Sequence, residues 1–552
     1  MTTHLTPPDR RAEFRASGAW NDKSITDYFD AALAADPQRP ALIAYRVGND
    51  RRHAFSYAEL DRLVARIAAG LAAMGVDRGD VVSCQLPNWW QMTALYLACC
   101  RLGVLFNPLM PIFREHELLF MLGHARSRVL VVPKVFRGFD YAAMAGRLRD
   151  ELPDLRQVLV VDGEGNDSFE KLLERPWEEE VDLARLFTER RPHADDLTQL
   201  LFTSGTTGEP KGVLHTSNTL LANVRPYAER LGLNGDDVVF MASPMAHQTG
   251  FLYGLLMPFY LGGSVVLQDI WDPRYAAGVA ARERPTFTMA STPFLADLLE
   301  IADGHREQLA SLRVFVAAGA PIPEALVESA AKAISARVVS AWGMTEAGAV
   351  TMTYPTDDLD RAVHSDGVAL PWMEVRVVDD EGHELPRGTE GHLLMRGASL
   401  FVGYLGRPEL YGVDADGWFA TGDLARMNDE GYIRITGRTK DVVIRGGENI
   451  PVVEVENLIY KHPAIAAVAL VGCPDLRLGE RLCAYVTLHE GEHDLSLDDM
   501  VAFLLEQRLT RNYLPEYLEV LAELPRTPSG KIQKFKLRER AQSIRLGTAK
   551  RA

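Results

Sequence analysis

The feature that most constrains this chain is a repeated switch between helix-period segments and short β-branched runs. Residues 56–75, SYAELDRLVARIAAGLAAMG, carry apolar side chains at helical spacing and stop at a glycine, and DVVSCQL (80–86) follows as a buried strand. The pattern recurs where ESAAKAISA leads into RVVSAW (328–342), and RVLVVP (128–133) is a further strand of the same kind. Strand and helix in alternation predict parallel sheets covered by helices, the α/β class. At 552 residues the chain is too long for one core. Near 370 the texture changes to MEVRVVDDEGHELPRGTEGHLLMRG, short strands punctuated by Asp, Gly and Pro, which predicts a β-rich subdomain over about 365–437. GRTKDVVIRGGENI (437–450) then places charge and glycine between structured stretches. The reading is a large N-terminal domain over 1–437 and a small α+β C-terminal domain over 438–552. In the latter, LVGCPDLRLGERLCAYVTL forms paired strands and LDDMVAFLLEQRL a helix.

Charge excludes one class of partner. The balance of 59 basic and 75 acidic residues gives −16, the wrong sign for neutralising nucleic-acid phosphates, so any anionic ligand must be met by local basic groups. Cys84, Cys99, Cys100, Cys473 and Cys483 show no metal-ligand spacing and read as reduced, buried thiols of a cytoplasmic protein. No apolar segment follows the N-terminal charges, so no signal peptide is expected. The uncharged run at 249–267 is interrupted by Pro258 and several glycines and reads as a buried helix followed by a core strand, not as an integral membrane segment.

TSGTTGEPKG (203–212) is built for phosphate: its glycines permit a tight loop, and Thr203, Ser204, Thr206 and Thr207 add hydroxyl donors beside Lys211. It is not a P-loop, which needs Gly-Lys-Ser/Thr; here Pro210 and Gly212 flank the lysine. A ligand-free Ser/Thr/Gly surface loop is the alternative on composition alone.

The stretch resembles the phosphate-binding signature of the AMP-forming adenylate synthetases, the superfamily of acyl-CoA synthetases, nonribosomal adenylation domains and luciferases. PMAHQTG (244–250), AAGAPIP (317–323), WGMTEAG (342–348), GTEGHLLMRG (388–397), WFATGDLA (418–425), GRTKDVVIRGGENI (437–450) and PRTPSGKIQK (525–534) are similar to that family's core motifs, in order. The resemblance implies two half-reactions: a carboxylate attacks the α-phosphate of ATP to give an acyl-adenylate and pyrophosphate, and the thiol of coenzyme A then displaces AMP.

It also implies the site. Lys531, Thr345, Glu346 and Lys211 are the expected catalytic residues, with Glu346 the ligand of Mg2+ because a hard cation bridging phosphates needs a carboxylate. The nucleotide is expected against Thr203, Ser204, Gly205, Thr206, Thr207 and Gly208 of the loop, and against Gly319, Ala320 and Pro321 on one wall. Trp342, Gly343, Met344 and Thr345 line the other side, and Asp423 and Arg438 lie at the ribose. Trp342 stands where the family usually has tyrosine; the indole stacks as well but cannot reproduce a phenolic hydrogen bond. Lys531 would reach the α-phosphate from the C-terminal domain, which would rotate about Lys440 between half-reactions and bring Gly446 and Gly447 to coenzyme A.

For the acyl group, His247, Gln248, Thr249, Ala317 and Ala341 are the expected lining, with His247 either a gate or a packed neutral ring. No acid occurs in 241–256 to meet an amino-acid ammonium, and no carrier-protein serine motif follows Lys534, so free coenzyme A is the expected acceptor. LPNWWQM (86–92) and FNPLMPIFREHEL (106–118) resemble the bacterial short- and medium-chain fatty acyl-CoA and cyclohexanecarboxylate-CoA ligases. That favours a medium-chain or alicyclic acid, with benzoate-type acids as the alternative. A luciferase-like oxygenase and a silent binding protein are the readings from other classes. A symmetric dimer is the default assembly.

Overall fold

The computed structural model describes residues 5–542 except 204–209, 320–323, 440–442, 446–447, 451, 476–477, 493, 508, 510 and 528–529. Two large sheets carry most of the chain. In the first, strands Arg337–Met344, Val314–Ala317, Phe287–Ala290, Val238–Met241, Ser264–Gln268 and Pro40–Arg46 run parallel side by side. Antiparallel strands Gly348–Met352 and Arg51–Ser56 flank that parallel run. In the second, Leu105–Pro108, Val81–Cys84, Val129–Pro133 and Gln157–Val161 are parallel, and Lys211–Thr216 turns back against Leu197–Thr203. Both are helix-covered, as the alternation of periods predicts.

Between the sheets lies a continuous core of Val82, Cys84, Phe106, Val239 and Met241 with the helices Tyr57–Ala73 and Trp90–Leu102. The first of these begins on a capping box: Glu59 N–H donates to Ser56 Oγ at 3.2 Å, and Ser56 N–H to Glu59 Oε2 at 2.9 Å. The uncharged run that tempted a membrane reading is a π-helical turn, Phe251–Leu256, followed by helix Met257–Leu261 and core strand Ser264–Gln268. Gly254 is required there, because a Cβ would stand 2.3 Å from Met241 Cγ. Among the described residues no helix is long and apolar enough to cross a membrane.

A third, four-stranded antiparallel sheet, Met373–Val378, Gly391–Gly397, Phe419–Met427 and Ile433–Arg438, corresponds to the β-rich texture. Arg438, which the sequence reading placed in the second domain, is the last residue of this sheet and pairs in register with Asp423. Beyond it, Val443–Arg445, Glu448–Ile450, Ile465–Asp475, Gly479–Leu488 and Tyr517–Val520 form a fourth sheet under helices Val452–Tyr460 and Leu497–Glu506, with a core of its own. The small domain is docked on the large one: Tyr460 packs against the cluster that holds Phe294, Leu295 and Leu298.

Candidate active site

One corner of the site is built on a carboxylate. Asp423 is only 3% exposed, a costly place for a charge unless donors meet it. Two do: Trp342 Nε1 donates to Oδ2 at 2.9 Å, and Arg438 Nε to Oδ1 at 2.8 Å. They arrive from different sheets, Trp342 on strand Arg337–Met344 and Arg438 across the register of the third sheet. Trp342 therefore does make a hydrogen bond; it is an indole donor to the aspartate, where the sequence reading credited the residue with stacking alone. Gly319 follows strand Val314–Ala317 with φ +81°, and a Cβ there would meet nothing within 4 Å.

Thr345 and Glu346 occupy the turn between strands Arg337–Met344 and Gly348–Met352. Glycine at 343 is forced, since a Cβ would lie 2.0 Å from the Gly348 carbonyl. Two buried residues with no motif of their own hold the turn. His215 Nε2 donates to the Thr345 carbonyl at 2.9 Å, and burial pushes this imidazole down to about 4, so the ring is neutral. Tyr404 O–H donates to Glu346 Oε1 at 2.8 Å. Burial raises the Glu346 carboxyl, opposed by Tyr404 and by the charges of Lys211 and Arg438. The buried carboxylate is the hard oxygen donor that a divalent cation would take, while the two cations suit phosphate. Lys211 opens strand Lys211–Thr216, paired in register with Thr203, its ammonium 5.0 Å from the Tyr404 ring centre.

Lys531 comes from the C-terminal domain on a short hairpin. Thr527 N–H donates to the Lys531 carbonyl at 2.7 Å, Lys531 N–H to Thr527 Oγ1 at 3.0 Å, and the Arg526 guanidinium to the Gly530 carbonyl at 2.9 Å. Gly530 sits against Ser291 and Pro293 of the large domain. The half-buried Lys531 ammonium is pulled down to about 8 by burial and then by Arg438, with Asp423 pulling the other way. Its charge also reaches His247, whose ring burial pushes down to about 4. Lys531, Arg438, Asp423 and His247 thus share one electrostatic neighbourhood across two domains.

His247 Nδ1 accepts from Thr249 N–H at 3.3 Å, leaving the neutral ring's proton on Nε2. Gln248 is buried and accepts from Gln199 Nε2 at 2.8 Å; Ala317 is buried at the end of its strand, Ala341 is buried within strand Arg337–Met344, and Thr249 is half-buried. Met344 ends its strand, half-buried, packed with Phe401 and Tyr404. Ser204, Gly205, Thr206, Thr207, Gly208, Ala320, Pro321, Lys440, Gly446 and Gly447 lie outside the described residues. Sequence reasoning missed Tyr404, His215 and Ser291: each lies in a segment without a chemical motif, and Gly530 beside Lys531 was the one local signal of a close approach.

Comparison with known proteins adds four findings. Residues 29–405 match the AMP-binding enzyme family and residues 454–531 its C-terminal domain family. The chain is 38% identical over 532 residues to a medium-chain fatty-acid–CoA ligase of Escherichia coli (strain K12), covering 96% of this chain and 92% of that protein. It is 32% identical over 540 residues to a salicylyl-CoA synthase / salicylate adenylyltransferase of a Streptomyces species, covering 97% and 96%. Among solved structures, ATP-bound MatB of Rhodopseudomonas palustris superposes with a TM-score of 0.81 at 27% identity, covering 95% of this chain and all of that one.

Proposed function

The chain belongs to the AMP-binding enzyme family, and on that premise we propose that it is an AMP-forming acyl-CoA ligase activating a medium-chain or alicyclic carboxylic acid. The observation that carries the reading is the convergence of Lys531, from one domain, on the Asp423–Arg438 corner of the other. In the first half-reaction a carboxylate oxygen of the acid bonds to the α-phosphorus of ATP and pyrophosphate leaves. Lys531 meets the charge gathering on the α-phosphoryl oxygens, Lys211 that of the departing phosphates, and Asp423 accepts from the ribose. Glu346 is the residue that would hold Mg2+, which when bound neutralises phosphate charge.

In the second half-reaction the thiol of coenzyme A bonds to the acyl carbon and AMP departs with the former carboxylate oxygen. Lys531 is then no longer needed, which suits withdrawal of the C-terminal domain about Lys440. The neutral His247 and the apolar surroundings of Ala317 and Ala341 suit an uncharged acyl body. The Escherichia coli relative supports a fatty acid; the salicylate-activating relative keeps aryl acids as the second reading. All five cysteines are buried and unpaired, which supports a reducing compartment.

The test is coenzyme A-dependent AMP release across acetate to palmitate, cyclohexanecarboxylate, benzoate and salicylate. A maximum at six to ten carbons or at the alicyclic acid is expected. A maximum at the aryl acids would replace the acyl assignment, and no release with any acid would remove the ligase reading.

A further inference from the structure

Among the described residues, the contact that the ligase reading leaves unexplained is the indole donor on Asp423. An ionised carboxylate offers two acceptor positions on each oxygen. On Asp423 one oxygen is already engaged by Arg438 Nε and the other by Trp342 Nε1, at 2.8 and 2.9 Å. The two donors sit on strands of different sheets, so they fix the rotation of the carboxylate about its own bond, which one donor alone would leave free. What remains is one acceptor position on each oxygen. A vicinal diol presents two O–H donors at matching separation.

From this juxtaposition we propose that Trp342 is a positioning residue that makes Asp423 a receptor for both hydroxyls of a ribose, and so sets the preference for ribonucleotide over deoxyribonucleotide. The inference rests on the reading that Asp423 meets the ribose of ATP. Without the indole donor, the buried carboxylate keeps only Arg438, turns toward it, and offers its second oxygen at the wrong angle. The 2′- and 3′-hydroxyls then no longer both find an acceptor, while a nucleotide lacking one of them has less to lose.

The experiment is calorimetric binding of ATP, 2′-deoxy-ATP and 3′-deoxy-ATP with magnesium, in the absence of acid and coenzyme A. Wild type is expected to bind ATP about tenfold or more tightly than either deoxy form, as for a hydrogen bond to a charged group. In Trp342→Phe, ATP affinity should fall about tenfold and the deoxy affinities by under about threefold, so the preference narrows. In Asp423→Asn, adding Trp342→Phe should cost little more, because the two act through one contact. Site-specific replacement of Trp342 by its benzothiophene isostere removes the N–H and keeps the ring, and decides the matter if Trp342→Phe does not fold. Equal losses for all three nucleotides would assign Trp342 a stacking or structural role and overturn the proposal, as would additive effects in the double variant. Wild type that binds no ATP would overturn the nucleotide site itself, a failure distinct from loss of the preference alone.

Discussion

Gly530 lies so close to Ser291 that a Cβ on the glycine would stand 2.5 Å from the serine Oγ, and its φ of +85° is left-handed. The residue beside Lys531 is thus fixed twice, by its own backbone and by a residue 239 positions earlier in the large domain. This contact holds the Lys531 hairpin on the large domain, where the ammonium feels the charges of Arg438 and Asp423.

Gly530→Ala should therefore displace the Lys531 hairpin. Acid-dependent ATP–pyrophosphate exchange is expected to fall by about a hundredfold or more, given a backbone cost of 1–3 kcal/mol together with the clash. Conversion of pre-made acyl-adenylate by coenzyme A should hold. Ser291→Ala in the same chain removes the Oγ and should restore part of the exchange. Equal loss of both half-reactions would show that the glycine serves the fold and not the docking.

The Lys531 ammonium, pulled down to about 8, gives adenylation a falling limb. In the free enzyme the lysine is mainly protonated below pH 8 and loses its charge above it, so kcat/KM for the first half-reaction should decline as pH rises through about 8. Bound phosphates favour the ammonium, so the limb in kcat should lie at higher pH. The docked lysine's own contribution to stability has the opposite sign: the native form binds fewer protons than the unfolded one between about 8 and the ordinary 10.5, so that contribution rises with pH across this window. A pH-independent exchange rate from 7 to 10 would contradict the assignment.

Tyr404→Phe deletes the hydroxyl that donates to Glu346 Oε1 and leaves a buried carboxylate with one donor fewer. The magnesium concentration for half-maximal exchange should rise about tenfold, in line with about 1.5–3 kcal/mol for a hydrogen bond to a charged group. Unchanged magnesium dependence would remove Tyr404 from the metal side of the site.

His215 and His247 are both pushed by burial down to about 4 from an ordinary 6.5. Between those values the unfolded chain takes up protons that the native chain refuses, so stability is lost as pH falls from about 6.5 toward 4. At pH 5 each ring accounts for about 2 kcal/mol. Denaturant melts at pH 7 and pH 5 should show the pH-dependent loss reduced in His215→Gln, with His247 supplying the remainder. An identical loss in wild type and variant would mean that His215 titrates normally.

Much of this was legible in the sequence for physical reasons. The shift from period 3.6 to period 2 marks the helix-covered sheets, and the change to Asp, Gly and Pro punctuation near 370 marks the third sheet. Asp423, Arg438, Glu346, Thr345 and Lys531 stand out only through motifs that resemble those of the adenylate synthetases; alone, Asp423 reads as a turn residue and Lys531 as a solvated lysine. Tyr404 and His215 did not, because an aromatic and a histidine in apolar surroundings look like core until their partners are placed. The Trp342–Asp423 bond was hidden for a different reason: the residues are 81 apart and meet only because two sheets abut. The boundary at Gly437 missed Arg438 by one residue, since a charged Gly-containing stretch reads as linker while the register with Asp423 keeps it in the sheet.

The most direct test of the account follows the oxygen. With the best acid of the panel labelled with 18O in its carboxylate, turnover with ATP and coenzyme A should place one labelled oxygen in AMP and none in pyrophosphate, because the carboxylate attacks the α-phosphorus and AMP leaves with that oxygen. Unlabelled AMP, or label in pyrophosphate or inorganic phosphate, would contradict activation through an acyl-adenylate.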